Sequence, residues 1–129
     1  MGADGNRRTI ERLLEVLDAG RTDQMDELFH DDSVMEWPQS GERVVGGDNR
    51  RAIYSRFPSL PKVQPRRIRC SGDLCVAEAT LTYDGGDPLQ AVFVFELRDG
   101  KIAHETGYWA SPFDAPEWRA AWVERETGA

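Results

Sequence analysis

The sequence predicts an α+β domain, and three observations predict it. An amphipathic helical stretch opens the chain, two shorter helical segments follow before residue 58, and from residue 66 onward the pattern changes to alternating strands broken by two hairpin signals. Helices gathered at one end and antiparallel strands at the other are the α+β arrangement. In order, Ile10, Leu13, Leu14 and Leu17 recur at i, i+3, i+4 and i+7, so a helix over Thr9–Ala19 has one apolar face, and Gly20 stops it. Thr22 caps a short second helix burying Met25, Leu28 and Phe29. Ser33 to Trp37 reads as a strand with Met35 and Trp37 on one side, ended by Pro38. Arg43-Val44-Val45 follows. Asp48 caps a helix over Asn49–Phe57 that turns Ile53, Tyr54 and Phe57 to one side. Pro58, Pro61 and Pro65 make the next stretch extended.

The strand half fixes registers. A turn at Gly72-Asp73 opposes Cys70 to Cys75, Ile68 to Ala77 and Arg67 to Glu78. Ile68, Cys70, Cys75, Ala77, Ala79, Leu81 and Tyr83 then share the core face. A turn at Asp99-Gly100 pairs Leu97 with Ile102, Phe95 with His104, Phe93 with Thr106 and Ala91 with Tyr108. That register sends His104, Thr106 and Tyr108 inward and Glu105 outward. A last helix spans Pro116–Arg125, with Trp118 and Trp122 on one side. They either pack that helix onto the sheet or cap a pocket mouth.

Length and charge bound the function. At 129 residues the chain is one domain over 1–129, with no repeat and no low-complexity tract. A net charge of −7 argues against a nucleic-acid partner. No apolar run is long enough for a membrane span, and the N-terminus lacks a signal-peptide pattern, so a cytoplasmic protein is expected. The total hides a pattern. Residues 1–48 carry −7, residues 49–72 carry seven bases and no acid, and residues 73–129 carry −7. The basic block is expected to be neutralised within the fold or a dimer. Cys70 and Cys75 permit a cross-strand disulfide, but two reduced, buried thiols are the expectation for a cytoplasmic chain. Two histidines and no Cys/His cluster at ligand spacing point to no metal site, and Gly46-Gly47 lacks the residues of a phosphate loop.

Several segments together resemble the SnoaL-like branch of the nuclear transport factor 2-like superfamily. They are Leu17-Asp-Ala-Gly20, Leu28-Phe29-His-Asp-Asp32, Gly47 and Ile53, and Phe93-Val-Phe95 followed by Asp99-Gly-Lys-Ile102. The stretches Tyr108–Phe113 and Ala115–Arg119 look like an uncharacterised subgroup of it. The resemblance implies a cone-shaped α+β barrel, a curved antiparallel sheet wrapped around N-terminal helices, an apolar pocket at the open end, and a homodimer through the convex sheet face. It also implies candidate chemistries, namely cyclases, isomerases, dehydratases and epoxide hydrolases beside non-catalytic binders, so fold alone does not fix function. The tyrosine, aspartate and second acid of steroid isomerases fall here at Leu13, Trp37 and Ala91. The acidic residue of SnoaL-type cyclases falls at Ala110. None of the four is present.

The derived register leaves His104 as the candidate acid or base, with Tyr108 beside it. Trp37, Tyr54, Phe57, Phe93, Phe95 and Thr106 are the candidate ligand-binding residues. Each has a plain alternative: His104 as a core histidine satisfied by a hydroxyl, the tyrosines as core aromatics, and the other aromatics as filling that leaves no cavity. Val76, Val92, Val94 and Ala103 make the convex face a candidate dimer surface. Two functions follow. One is a small-molecule-binding protein doing cofactor-free proton-transfer chemistry on a small apolar substrate. The other is a non-catalytic dimeric ligand-binding or protein-interaction module.

Overall fold

The computed structural model describes residues 2–126. Helix α1 (Ala3–Asp18) leads into a 3-10 turn (Thr22–Glu27), then strand β1 (Phe29–Trp37), β2 (Glu42–Val45) and helix α2 (Gly47–Tyr54). Four long strands follow: β3 (Lys62–Ser71), β4 (Leu74–Thr82), β5 (Leu89–Arg98) and β6 (Lys101–Ala110). They build one curved, unclosed six-stranded sheet in the order β2-β1-β6-β5-β4-β3. Only the β1–β6 pair among these is parallel. This is the cone-shaped α+β architecture that the family resemblance implied.

α1 begins six residues before the expected start at Thr9. Buried Asn6 explains this, because its amide donates to the Gly72 carbonyl at 2.9 Å and to Asp73 Oδ1 at 3.2 Å. The Arg7 guanidinium donates to the Ile68 carbonyl. The first turn is thus held by the β3–β4 hairpin rather than by its own propensity. Ile10, Leu13, Leu14 and Val16 are buried against the concave sheet face, where Ile68, Cys75, Ala77, Ala79, Leu81, Ala91, Phe93, Phe95 and Ile102 complete the core.

The β3–β4 register is the expected one, including Arg67 opposite Glu78, whose charged groups lie 2.9 Å apart. Cys70 and Cys75 sit opposite each other and are joined in a disulfide. The expectation of reduced thiols is corrected, since the ladder itself holds the two side chains face to face. The Asp99-Gly100 turn also forms as expected, with positive φ at both residues (52° and 80°).

The β5–β6 register is not the expected one. Leu97 still faces Ile102, but the next pair is Glu96 with His104, followed by Phe95 with Glu105 and Ala91 with Trp109. Ala103 is the extra residue of a β-bulge. A slip of one residue moves every following side chain to the other face. Glu105, Gly107 and Trp109 therefore point inward, and His104, Thr106 and Tyr108 point outward.

Three smaller expectations also shift. Phe29 opens β1 instead of closing the preceding helix. α2 starts at Gly47 without a side-chain cap, and Asp48 lies in its first turn, where it pairs with Arg51 at 2.6 Å. The last helix is a 3-10 segment (Glu117–Trp122). At three residues per turn, positions four apart leave the common face. Trp118 and Trp122 are accordingly exposed, at 74% and 79%, and neither packs on the sheet.

Candidate functional site

A cavity of about 360 Å³ opens between α1, α2 and the concave sheet face. Its wall is mostly apolar. Leu13, Leu14 and Leu17 come from α1, and Tyr54 and Phe57 come from the end of α2 and the residues after it. Phe93, Phe95 and Trp109 come from β5 and β6, and Trp37 from the end of β1. The wall follows from local sequence. Alternation along β1 and β5 puts Trp37, Phe93 and Phe95 on the inner face, and the bulge adds Trp109.

The aromatic corner is fixed by packing and by hydrogen bonds. Trp109 meets Trp37 edge-on at 6.1 Å between centroids and Phe93 edge-on at 5.7 Å. Gln39, in the turn after β1, accepts from the Trp109 backbone N–H at 2.6 Å and donates to its carbonyl. Gly107 sits between these rings. A Cβ there would lie 2.9 Å from Trp109 Cη2 and 3.3 Å from Phe93 Cδ1, so only glycine leaves the room.

Into this apolar space projects one carboxyl group, Glu105, which is 5% exposed. Burial pushes its proton affinity up to about 7, against a partial pull downward from Arg50. Tyr54 and Tyr83 share the wall, and burial raises both phenols; the charge of Glu105 raises Tyr54 further. The Trp37 indole Nε1 is buried with no protein partner. An acid that is half-ionised near neutral pH can both take and give a proton there. The two phenols are further hydrogen-bonding groups in a region of low polarity.

Of the residues expected at the site, Trp37, Tyr54, Phe57, Phe93 and Phe95 line this cavity. His104, Thr106 and Tyr108 do not, because the Ala103 bulge turns them to the convex face. The inward placement of His104 and Tyr108 is corrected. The imidazole Nε2 lies 3.3 Å from Glu36 Oε1 and its Nδ1 lies 3.4 Å from Glu96 Oε2, outside the cone. Tyr108 is 44% exposed. The sequence reading missed Glu105 by assigning it outward. Gly107 was the available signal, since a glycine between bulky alternating residues marks a bulge or a close approach.

The basic block is largely answered by carboxylates. Arg50 pairs with Asp26, Arg51 with Asp26, Asp31 and Asp48, Arg66 with Glu126, and Arg67 with Glu78. Among the described residues, no group of three His, Cys, Asp or Glu side chains is placed to hold a metal ion. No helix among them is long and apolar enough to cross a membrane.

A family model described as a SnoaL-like domain matches residues 10–105. An NTF-2-like protein of unknown function from Burkholderia xenovorans LB400 is 36% identical, with a TM-score of 0.87 over 95% of this chain and 96% of that one. A Kribbella flavida DSM 17836 protein proposed to be a ketosteroid isomerase is 22% identical, with a TM-score of 0.86 over 96% and 91%. An LEH-like epoxide hydrolase from M. tuberculosis is 25% identical, with a TM-score of 0.73 over 83% and 84%. No curated protein matches the chain.

Proposed function

This chain belongs to the SnoaL-like domain family, and we propose that it binds a small, uncharged, mostly apolar molecule in its cone and moves a proton on it with Glu105. The observation that carries this reading is a single buried carboxyl, near neutrality in its proton affinity, in a mostly apolar cavity of about 360 Å³. Such a cavity is of the size and character that binds small molecules. An anionic ligand would be repelled once Glu105 ionises, and a strongly polar one would lose its hydration to Leu, Phe and Trp side chains. The Tyr54 and Tyr83 side chains on the wall favour a ligand with an oxygen acceptor on an apolar frame.

The reaction class is isomerisation, dehydration or cyclisation, or the opening of a strained ring such as an epoxide. Each needs a proton taken or given at one atom while charge grows at another. Glu105 supplies the first, and the Tyr54 and Tyr83 phenols stabilise the second. The family resemblance and the neighbouring epoxide hydrolase are consistent with this range of chemistry.

A panel of small uncharged ketones, alcohols and epoxides tests the reading. Binding is read by thermal shift, and proton movement by exchange of the α-hydrogens of a bound ketone in D2O. Wild type should bind members of the panel and catalyse exchange. Glu105→Gln should keep binding and lose exchange by about a hundredfold or more. Binding without exchange in either protein would leave a ligand-binding module without catalysis. No binding at all would remove the small-molecule reading.

A second copy of this chain is the proposed partner, through the convex face where Val92 and Tyr108 are exposed. Sedimentation equilibrium should give a dimer that Val92→Glu dissociates. The proposed location is cytoplasmic, where the Cys70–Cys75 bond would meet a reducing environment.

A further inference from the structure

We propose that Trp109 sets the length of the molecule the cone accepts: its indole, folded back over Gly107 and latched by Gln39, closes the aromatic end of the cavity to a ligand anchored at Glu105. The inference deepens the small-molecule reading above and rests on it.

The geometry lies along β6. Glu105, Gly107 and Trp109 are successive inward positions on this strand, and Glu105 and Trp109 both line the cavity. At about 3.3 Å per residue their backbones are about 13 Å apart. The cavity therefore has an acidic end and an aromatic end. Gly107 between them has no positive φ, so the backbone there does not ask for glycine. The indole does. Trp109 Cη2 lies 2.9 Å from where a Gly107 Cβ would stand, so the ring reaches back along the strand toward Glu105. Phe93, opposite Gly107 in the ladder, borders the same space at 3.3 Å. An apolar chain running from Glu105 along β6 thus meets the indole after about 7 Å, the rise of two residues, rather than four.

The ring is held in that place. Trp37 and Phe93 meet it edge-on. Backbone pairing of β1 with β6 ends at Glu36 and Thr106. Past that point Gln39 Oε1 accepts from the Trp109 N–H at 2.6 Å, and Gln39 Nε2 donates to the Trp109 carbonyl. Gln39 stands in the turn closed by the Ser40 and Gly41 N–H groups on the Trp37 carbonyl, so one turn places both indoles. Gln39 is exposed, and its hydrogen bonds add only modestly to stability. What they fix is the Trp109 backbone, and with it the ring. Gln39 is thus a positioning residue, and Trp109 is the residue that sets specificity. The ligand class selected is a short, uncharged carbonyl compound with a narrow apolar tail. A long chain would need the indole displaced.

The experiment measures Kd for unbranched 2-alkanones of increasing length, from the dependence of the unfolding midpoint on ketone concentration. In wild type each added CH2 should tighten binding about fourfold until the chain reaches the indole, and no further beyond that length. Trp109→Leu should move this break by about two carbons or more toward longer chains. Trp109→Phe, which keeps a smaller ring, should move it less. Gln39→Ala should move it the same way, and should add nothing in the Trp109→Leu background. General loosening of the fold would weaken every member alike, whereas a length limit changes the ratio of long to short. A folded Trp109→Leu protein whose break stays at the wild-type length overturns the inference. If that variant does not fold, an unmoved break in Trp109→Phe overturns it instead. A break that moves in Trp109→Leu but not in Gln39→Ala overturns the latch. If no ketone binds wild type, the small-molecule reading falls and the inference with it. A break that moves in protein without α-hydrogen exchange supports the length limit and removes only the proton-transfer reading.

Discussion

Replacing Glu105 by glutamine should stabilise the protein at neutral pH, and the gain should disappear in acid. Glutamine has the shape of the protonated carboxyl but cannot ionise. In the folded protein the proton affinity of Glu105 is raised from 4.5 to about 7, chiefly by burial. Between those values the folded state holds a proton that the unfolded chain has released. Stability contributed by the protonated form is therefore full below about pH 4.5 and is lost as the pH rises through 7. At about 1.4 kcal/mol per pH unit, the span amounts to about 3 kcal/mol. With a urea slope of about 1.5 kcal/mol per molar, that is about 2 M in the unfolding midpoint. The assay is urea unfolding of wild type and Glu105→Gln at steps between acid and mildly alkaline pH. Taking the difference cancels the titration of every other group. The variant should match wild type in acid and exceed it by that margin above neutrality. A difference independent of pH would refute the argument, because it would mean that Glu105 keeps its ordinary affinity in the fold.

Other outcomes follow from the same geometry. Gly107→Ala should destabilise by about 1–3 kcal/mol in the same unfolding assay, because its methyl group meets Trp109 and Phe93 at close range. His104→Ala should leave ligand affinity within about twofold, since the imidazole lies outside the cone; the binding panel measures it. Thiol titration under denaturing, non-reducing conditions should find no free cysteine, and reduction should lower stability by about 2 kcal/mol, the value for a loop this short.

The legible parts of this molecule were those decided locally. Gly72-Asp73 and the alternation around it give the β3–β4 register, because a slip there would put Ile68, Ala77 and Leu81 in water. The inward positions of Trp37, Phe93 and Phe95 follow from the same period of two. What escaped the sequence depended on distant partners or on a residue without a signature. Alanine is at home on either face of a strand, so Ala103 gave no sign that it was a bulge. That one residue decides whether His104 or Glu105 enters the cavity. The early start of α1 hangs on Asn6 and Arg7 reaching across to the β3–β4 hairpin. The pairing of Trp118 with Trp122 presumed a pitch of 3.6 residues that the 3-10 segment does not have. The charge alternation along the chain was visible as arithmetic. Only the fold shows that one arginine of the basic block, Arg50, is buried while Arg51 beside it meets three aspartates at the surface.

The central claim is that the cone holds one carboxyl able to exchange its proton near neutral pH. The titration of Glu105 in unmodified, ligand-free protein tests it most directly. The account expects a midpoint near 7, and a midpoint in the ordinary range near 4.5 would contradict it.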